Sequence, residues 1–248
     1  MKMTGSTILI TGGTSGIGRG LAVELHRAGN TVIVAGRRAD LLDALVAEHP
    51  GMAAAVVDVA DPRSVTALRD TVARSHPALN VLVNMAGIML PEDLLDPASI
   101  DVAEATIRTN LLGPLRMIHA FAPLLVGRPD AAVINVSSGL AFVPLPFTPT
   151  YSATKAALHS LTQSLRVQLA GTGVQVIELI PPAVRTPLMG QETAESAMPL
   201  EDFLAETMTL LRELPDATEI VVDRVRFLRY AEATGTHDDA LALLSGHH

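Results

Sequence analysis

The chain has 248 residues, of which 48% are hydrophobic, 18% charged and 3% aromatic, a core-forming composition far from the disordered class. A net charge of −8 with only two lysines, Lys2 and Lys155, offers no basic footprint for a phosphate backbone, so nucleic acid is not an expected partner. The lack of cysteine excludes disulfides and thiolate-bound metals and agrees with a reducing cytoplasm, where the protein is expected to reside. The length suits one α/β domain spanning 1–248.

In chain order, short β-branched runs alternate with longer amphipathic stretches. Residues 7–11 precede a helix from Gly16, 31–35 a helix from Asp40, 53–57 a helix from Pro62, and 81–84 a long helix over 99–125. The second half continues with 131–136, a helix over 151–170, and 174–180. Six strands in this rhythm predict a single-domain, Rossmann-like, doubly wound parallel sheet with helices on both faces, whose ligands bind at the carboxyl ends of the strands. The first strand follows Met1-Lys2-Met3-Thr4-Gly5 so soon that no signal peptide is expected. No apolar run approaches the ~20 residues of a membrane span. Past Pro181, a polar stretch at 185–199 and an amphipathic helix at 200–213 predict a lid over the substrate at about 185–215. Residues 219–223 offer one more strand and 225–233 a helix.

The turn Thr11-Gly12-Gly13-Thr14-Ser15-Gly16-Ile17-Gly18 lies between the first strand and the first helix. Glycines at 12, 16 and 18 permit a tight turn, close approach of backbone to a pyrophosphate, and packing of the helix on the strand. No Gly-Lys-Ser/Thr follows, which excludes a P-loop. The second strand ends in Gly36-Arg37-Arg38, with no acid for ribose hydroxyls and two guanidiniums suited to a 2′-phosphate, so NADP is preferred over NAD. Tyr151 and Lys155, four residues apart, share one helix face, and the cation is expected to lower the phenol from its ordinary pKa of about 10. Ser138 adds a hydroxyl able to hold a carbonyl or alcohol oxygen. The eight histidines show no ligand spacing, and no metal is assigned; His247 and His248 close the chain.

With Asn84-Met85-Ala86-Gly87 and Asn110, these motifs occur in an order and spacing that resembles the short-chain dehydrogenase/reductases of the compact single-domain branch, over about residues 7–186. The resemblance implies an NAD(P)-dependent oxidoreductase interconverting a carbonyl and a secondary alcohol. Tyr151 would be the acid/base, and Ser138, thirteen residues before it and preferred over Ser137, would bond the substrate oxygen. Lys155 would bind the nicotinamide ribose and tune Tyr151, while Asn110 would bend its helix and hold a water that links Lys155 to solvent. Cofactor contacts would come from Gly12, Thr14, Ser15, Gly16, Ile17 and Gly18 at the pyrophosphate and from Arg37 and Arg38 at the 2′-phosphate. Asp58 and Val59 would meet the adenine, Asn84, Ala86 and Gly87 the adenosine ribose side, and Pro181, Val184 and Thr186 the nicotinamide with Tyr151 and Lys155.

Three positions depart from the family pattern: Met85 replaces an Asn, Pro182 a Gly, and the C-terminus carries extra helix. Leu140, Phe142, Pro144, Leu145, Leu188 and Met189 are expected to line an apolar pocket for a small-molecule carbonyl or alcohol. Helices 99–125 and 151–170 are expected to pair across a twofold in a homodimer or homotetramer. The same fold also hosts catalytically silent nucleotide-sensing proteins, and epimerases or dehydratases that retain their cofactor.

Overall fold

In the computed structural model, which describes residues 2–246, seven parallel strands run through the centre. They are β1 (Thr7–Thr11), β2 (Thr31–Gly36), β3 (Ala53–Val56), β4 (Val81–Asn84), β5 (Ala132–Val136), β6 (Gln175–Ile180) and β7 (Glu219–Val221), in the order β3-β2-β1-β4-β5-β6-β7. The chain steps outward from β1 to β3 and then returns to place β4 on the other side of β1. That reversal opens a crevice beyond the carboxyl ends of β1 and β4.

The strands are apolar on both faces because both are covered. Ile8, Ile10, Val32, Val34, Val81 and Val83 point into one core, with α1 (Gly16–Arg27), α2 (Ala39–Glu48) and α7 (Leu200–Glu213). Leu9, Ile33, Leu82 and Val133 point into the other. There they meet α3 (Pro62–Ser75), α5 (Gly113–Leu125) and α6 (Pro149–Gln168), with α4 (Ile100–Ile107) beside α6. Among the described residues no helix is long and apolar enough to cross a membrane.

Residues 219–223, read as one more strand, form β7 and pair with β6 through Glu178↔Glu219, Leu179↔Ile220 and Ile180↔Val221. Three expectations are corrected. The single helix expected over 99–125 is α4, a π-helical turn at Arg108–Leu112, and α5. Pro114 has no N–H to give the carbonyl of Asn110, so the α-helical ladder cannot run through this point. The helix expected over 225–233 is a 3-10 turn (Asp223–Val225), α8 (Arg226–Arg229) and α9 (Ala231–Thr234), broken at Tyr230 and followed by α10 (His237–Ser245). His247 and His248 lie outside the described residues.

The third correction concerns the lid. The apolar stripe of α7, formed by Phe203, Leu204, Met208 and Leu211, is buried in the first core, and Leu204 fills the space over Gly20. This helix is a layer of the fold. Only 185–199 runs over the surface, and its two ends are tied where Arg185 N–H donates to Met198 O at 2.8 Å and Met198 N–H to Ala183 O at 2.9 Å.

Candidate active site

The Gly-rich turn is folded tightly against the end of β4. The Thr11 hydroxyl accepts from the N–H groups of Met85 and Ala86, both at 3.2 Å, and a Cβ on Gly12 would stand 2.8 Å from the Cα of Ala86. A Cβ on Gly18 would stand 2.3 Å from the Gly12 carbonyl oxygen, so only glycine lets α1 begin this close to β1. Gly12 and Gly16 also hold φ at 71° and 52°. Ser15 makes no side-chain cap, which leaves the first N–H groups of α1 directed at the crevice. Thr186, from the loop after β6, packs 3.2 Å from where a Gly16 Cβ would be, bringing that loop to the same turn. Val184 and Thr186 are buried, and Pro181 O accepts from Gly139 N–H at 2.9 Å.

Arg38 reaches back over the turn, its Nη2 donating to Thr14 Oγ1 at 2.7 Å and Ser15 Oγ at 2.9 Å; Arg37 is exposed beside it. Ile17 is half-buried at the start of α1. Asp58 accepts from Ala60 N–H at 2.9 Å, and Val59 packs where a Gly113 Cβ would fall. Asn84 is buried and donates to Asn135 Oδ1 at 2.8 Å. Gly87 is exposed at the crevice, with Asn110 and Lys155 on its Cβ side. Turn, β2 end, β4 end and the 181–186 loop thus meet in one place.

Across the crevice, Ser138 sits in extended backbone at the end of β5 and caps the 3-10 turn Gly139–Ala141, its Oγ accepting from Leu140 N–H at 3.1 Å. The same hydroxyl stands beside the Tyr151 phenol and favours its ionised form. Neighbouring Ser137 is buried, and its hydroxyl has no partner among the described residues. Lys155 places Nζ 5.5 Å from the Tyr151 ring centroid and donates to Val136 O at 2.8 Å. Asn110, within the π turn, clamps one residue of the β4 loop. Its Oδ1 accepts from Ile88 N–H at 2.8 Å and its Nδ2 donates to Ile88 O at 2.7 Å. Nδ2 also lies 3.4 Å from Thr154 Oγ1.

Electrostatics here run against the sequence expectation. Burial pushes the phenol up to about 12 despite the Ser138 hydroxyl, and it pulls Lys155 down to about 8, offset in part by the charge of Glu178. Both groups are nearly enclosed, at 8% and 6% exposure, and loss of hydration outweighs the cation beside the phenol. At neutral pH the phenol carries its proton and the ammonium its charge.

These features narrow the possibilities to one lineage. A family model described as short chain dehydrogenase matches residues 6–197. The chain belongs to the short-chain dehydrogenase family. A family relative from Bacillus subtilis (strain 168), named Uncharacterized oxidoreductase DltE, is 39% identical over 239 residues, covering 93% of each chain. A short chain dehydrogenase from Burkholderia cenocepacia J2315, solved in complex with NADP, matches with TM-score 0.83 at 25% identity, covering 97% of this chain and 99% of that one. A 3-ketoacyl-(acyl-carrier-protein) reductase from Brucella melitensis, complexed with NADH, matches with TM-score 0.77 at 25% identity, covering 87% and 93%.

Of the expected pocket residues, Phe142 is committed elsewhere: its ring is edge-on to His159 at 4.8 Å and beneath the Arg229 guanidinium at 4.5 Å. An open cleft of about 520 Å³ lies instead between Pro91, Glu92, Asp93, Leu94 and Pro146, Phe147. Glu92 borders it and accepts from Thr150 Oγ1, next to Tyr151, at 2.6 Å. The histidine spacing also concealed a cluster, since His159, Glu178 and Glu219 bring one ligand-type atom each within 4.8 Å of one another. The legible signal was Glu178 itself, a charge inside the otherwise apolar Val176-Ile177-Glu178-Leu179-Ile180.

Proposed function

We propose that this oxidoreductase interconverts a small-molecule carbonyl and its secondary alcohol with NADP(H), Tyr151 exchanging the proton. The observation that carries the proposal is the convergence of the Ser138 hydroxyl, the Tyr151 phenol and the Lys155 ammonium at the sheet's carboxyl edge, with Lys155 beside Gly87 of the β4 loop. The turn fits a dinucleotide: its backbone is bare where side chains would block a pyrophosphate, and its helix end offers free N–H groups.

When bound, the nicotinamide supplies or takes the hydride. In reduction, the Ser138 hydroxyl holds the carbonyl oxygen beside the phenol, and Tyr151 passes it a proton as the alcohol forms. A phenol held protonated at neutral pH starts that step in the required state. Lys155 stabilises the negative charge that develops on Tyr151 and offers its ammonium to the nicotinamide ribose. Gly12, Thr14, Ser15, Gly16, Ile17 and Gly18 hold the phosphates. Asp58, Val59, Asn84, Ala86 and Gly87 line the adenosine side, and Pro181, Val184 and Thr186 border the nicotinamide.

Preference for NADP rests on Arg37 and Arg38, since Arg38 is already drawn over the phosphate turn by Thr14 and Ser15. A homodimer is proposed through the α4 side, where Ile100, Ile107 and Leu112 are exposed. The cysteine-free composition suits a cytoplasmic location. Screening ketones and aldehydes with NADPH and NADH tests the proposal. Substrate-dependent oxidation of NADPH supports it, whereas tight cofactor binding with no turnover on any carbonyl would favour a nucleotide sensor.

A further inference from the structure

Glu178 is the anomaly of the core. It is fully buried in β6 and belongs to a polar row that crosses four strands in register, Asn84↔Asn135, Asn135↔Glu178 and Glu178↔Glu219, beneath α6. The asparagines are linked to each other and, through Asn135 Nδ2, to Thr162 of α6 at 2.9 Å. Glu178 Oε2 accepts from His159 Nδ1 at 2.8 Å; Oε1 has no hydrogen-bond partner among the described residues. His159 Nε2 faces the amide nitrogen of Gln163 at 3.1 Å, and its Nδ1 is directed at the carboxylate. A carboxylate so enclosed requires a nearby positive charge.

Lys155 is one helical turn before His159. Its Nζ rests on Val136 O, and Val136 is the register partner of Leu179, the residue after Glu178. We propose that Glu178 is the buried counter-charge that keeps Lys155 protonated at neutral pH, a positioning residue that acts through the lysine and touches neither substrate nor cofactor. Without it the enclosed ammonium would be opposed only by desolvation. The other charged or titratable groups around the pair are His159, Arg166 and Tyr151 on α6, Glu219 on β7, and Arg229 and Tyr230 at the C-terminal side. Arg229 binds Glu219 through Nε and Nη2 at 2.8 and 2.9 Å and so spends most of Glu219's charge locally, leaving Glu178 as the carboxylate that acts on Lys155. That guanidinium supplies the cation beside Glu219, one member of the His159, Glu178 and Glu219 cluster.

The effect on catalysis rests on the role proposed above for Lys155; the charge coupling itself does not. Because Lys2 and Lys155 are the only lysines, ¹³Cε-lysine labelling gives two NMR signals, and Lys2 belongs to the exposed N-terminus. Wild-type Lys155 is expected to titrate near pH 8. In E178Q and in E178M, whose apolar side chain suits this strand, the titration should fall by about one pH unit or more, and E178D should restore most of it. The alkaline limit of NADPH affinity should move down with it. An unchanged Lys155 titration in either neutral variant overturns the inference, as does saturable Zn²⁺ binding that depends on His159 and Glu178. A titration that moves while NADPH affinity ignores it would instead refute the role proposed for Lys155 and leave the coupling standing.

Discussion

Replacing Lys155 with Met should remove activity, and its effect on stability relative to wild type should depend on pH in a definite way. The buried ammonium titrates at about 8 instead of 10.5, so the folded state releases its proton more readily than the unfolded chain. Folding therefore carries a penalty that is complete below pH 8, shrinks as pH rises, and vanishes above 10.5. At 1.36 kcal/mol per pH unit the penalty is about 3 kcal/mol at pH 7 and about 1 kcal/mol at about pH 9.5. Methionine fills similar space but cannot donate to Val136 O, a loss of about 1–3 kcal/mol that hardly varies with pH. The dependable quantity is thus the change in the difference between variant and wild type, about 2 kcal/mol, or roughly 4–8 °C in Tm for a chain of this size. Calorimetric melts of both proteins at the two pH values measure it. An advantage of the variant that stays constant, or grows with pH, would refute the reasoning, because it would mean that Lys155 is not a buried charge held against desolvation.

Three further outcomes follow from the geometry. Gly18→Ala drives a methyl to within 2.3 Å of the Gly12 carbonyl oxygen and should cost about 1–3 kcal/mol of stability and at least tenfold in NADPH affinity; an unperturbed melt with unchanged affinity would remove the turn from the cofactor site. Wild type should prefer NADPH over NADH by roughly tenfold or more, since one charge-assisted bond to a 2′-phosphate is worth about 1.5–3 kcal/mol, and Gly36→Asp with Arg37→Gln should reverse the preference. Equal affinities in wild type would reduce Arg37 and Arg38 to surface charges; the new Asp Cβ would stand 3.2 Å from the Thr14 methyl and 3.7 Å from its hydroxyl, so the Thr14 side chain must shift slightly to admit it. Light scattering at micromolar concentration should report a dimer, and Ile107→Glu should dissociate it, whereas a wild-type monomer would leave the exposed α4 residues without a partner.

Much of this was legible in the sequence because the signals were local. The glycine turn, the β-branched strands and the Tyr151/Lys155 spacing each follow from residues close together in the chain, and the structure places them within a residue or two of expectation. What escaped was set by tertiary neighbours. The amphipathic pattern of 200–213 gave a helix correctly but not the core that absorbs its apolar stripe, so a layer of the fold was read as a lid. The bend expected at Asn110 is present, but its π form goes with Pro114 and with the Ile88 backbone that Asn110 clamps from across the fold. The phenol was expected to be acidified because its cation is close in sequence, while the burial that raises it comes from the whole site. His159, Glu178, Glu219 and Arg229 come from four elements, and no spacing could have joined them.

The central claim is that the Tyr151 phenol transfers the proton to the substrate oxygen. Tyr151→Phe deletes that hydroxyl and keeps the ring packed beside Ser138 and Lys155. Once the screen has found a carbonyl that wild type reduces, steady-state turnover of the variant on it should fall by about 10² or more, with the Kd for NADPH within about threefold. A variant that keeps more than about a tenth of wild-type turnover at unchanged cofactor affinity would contradict the account.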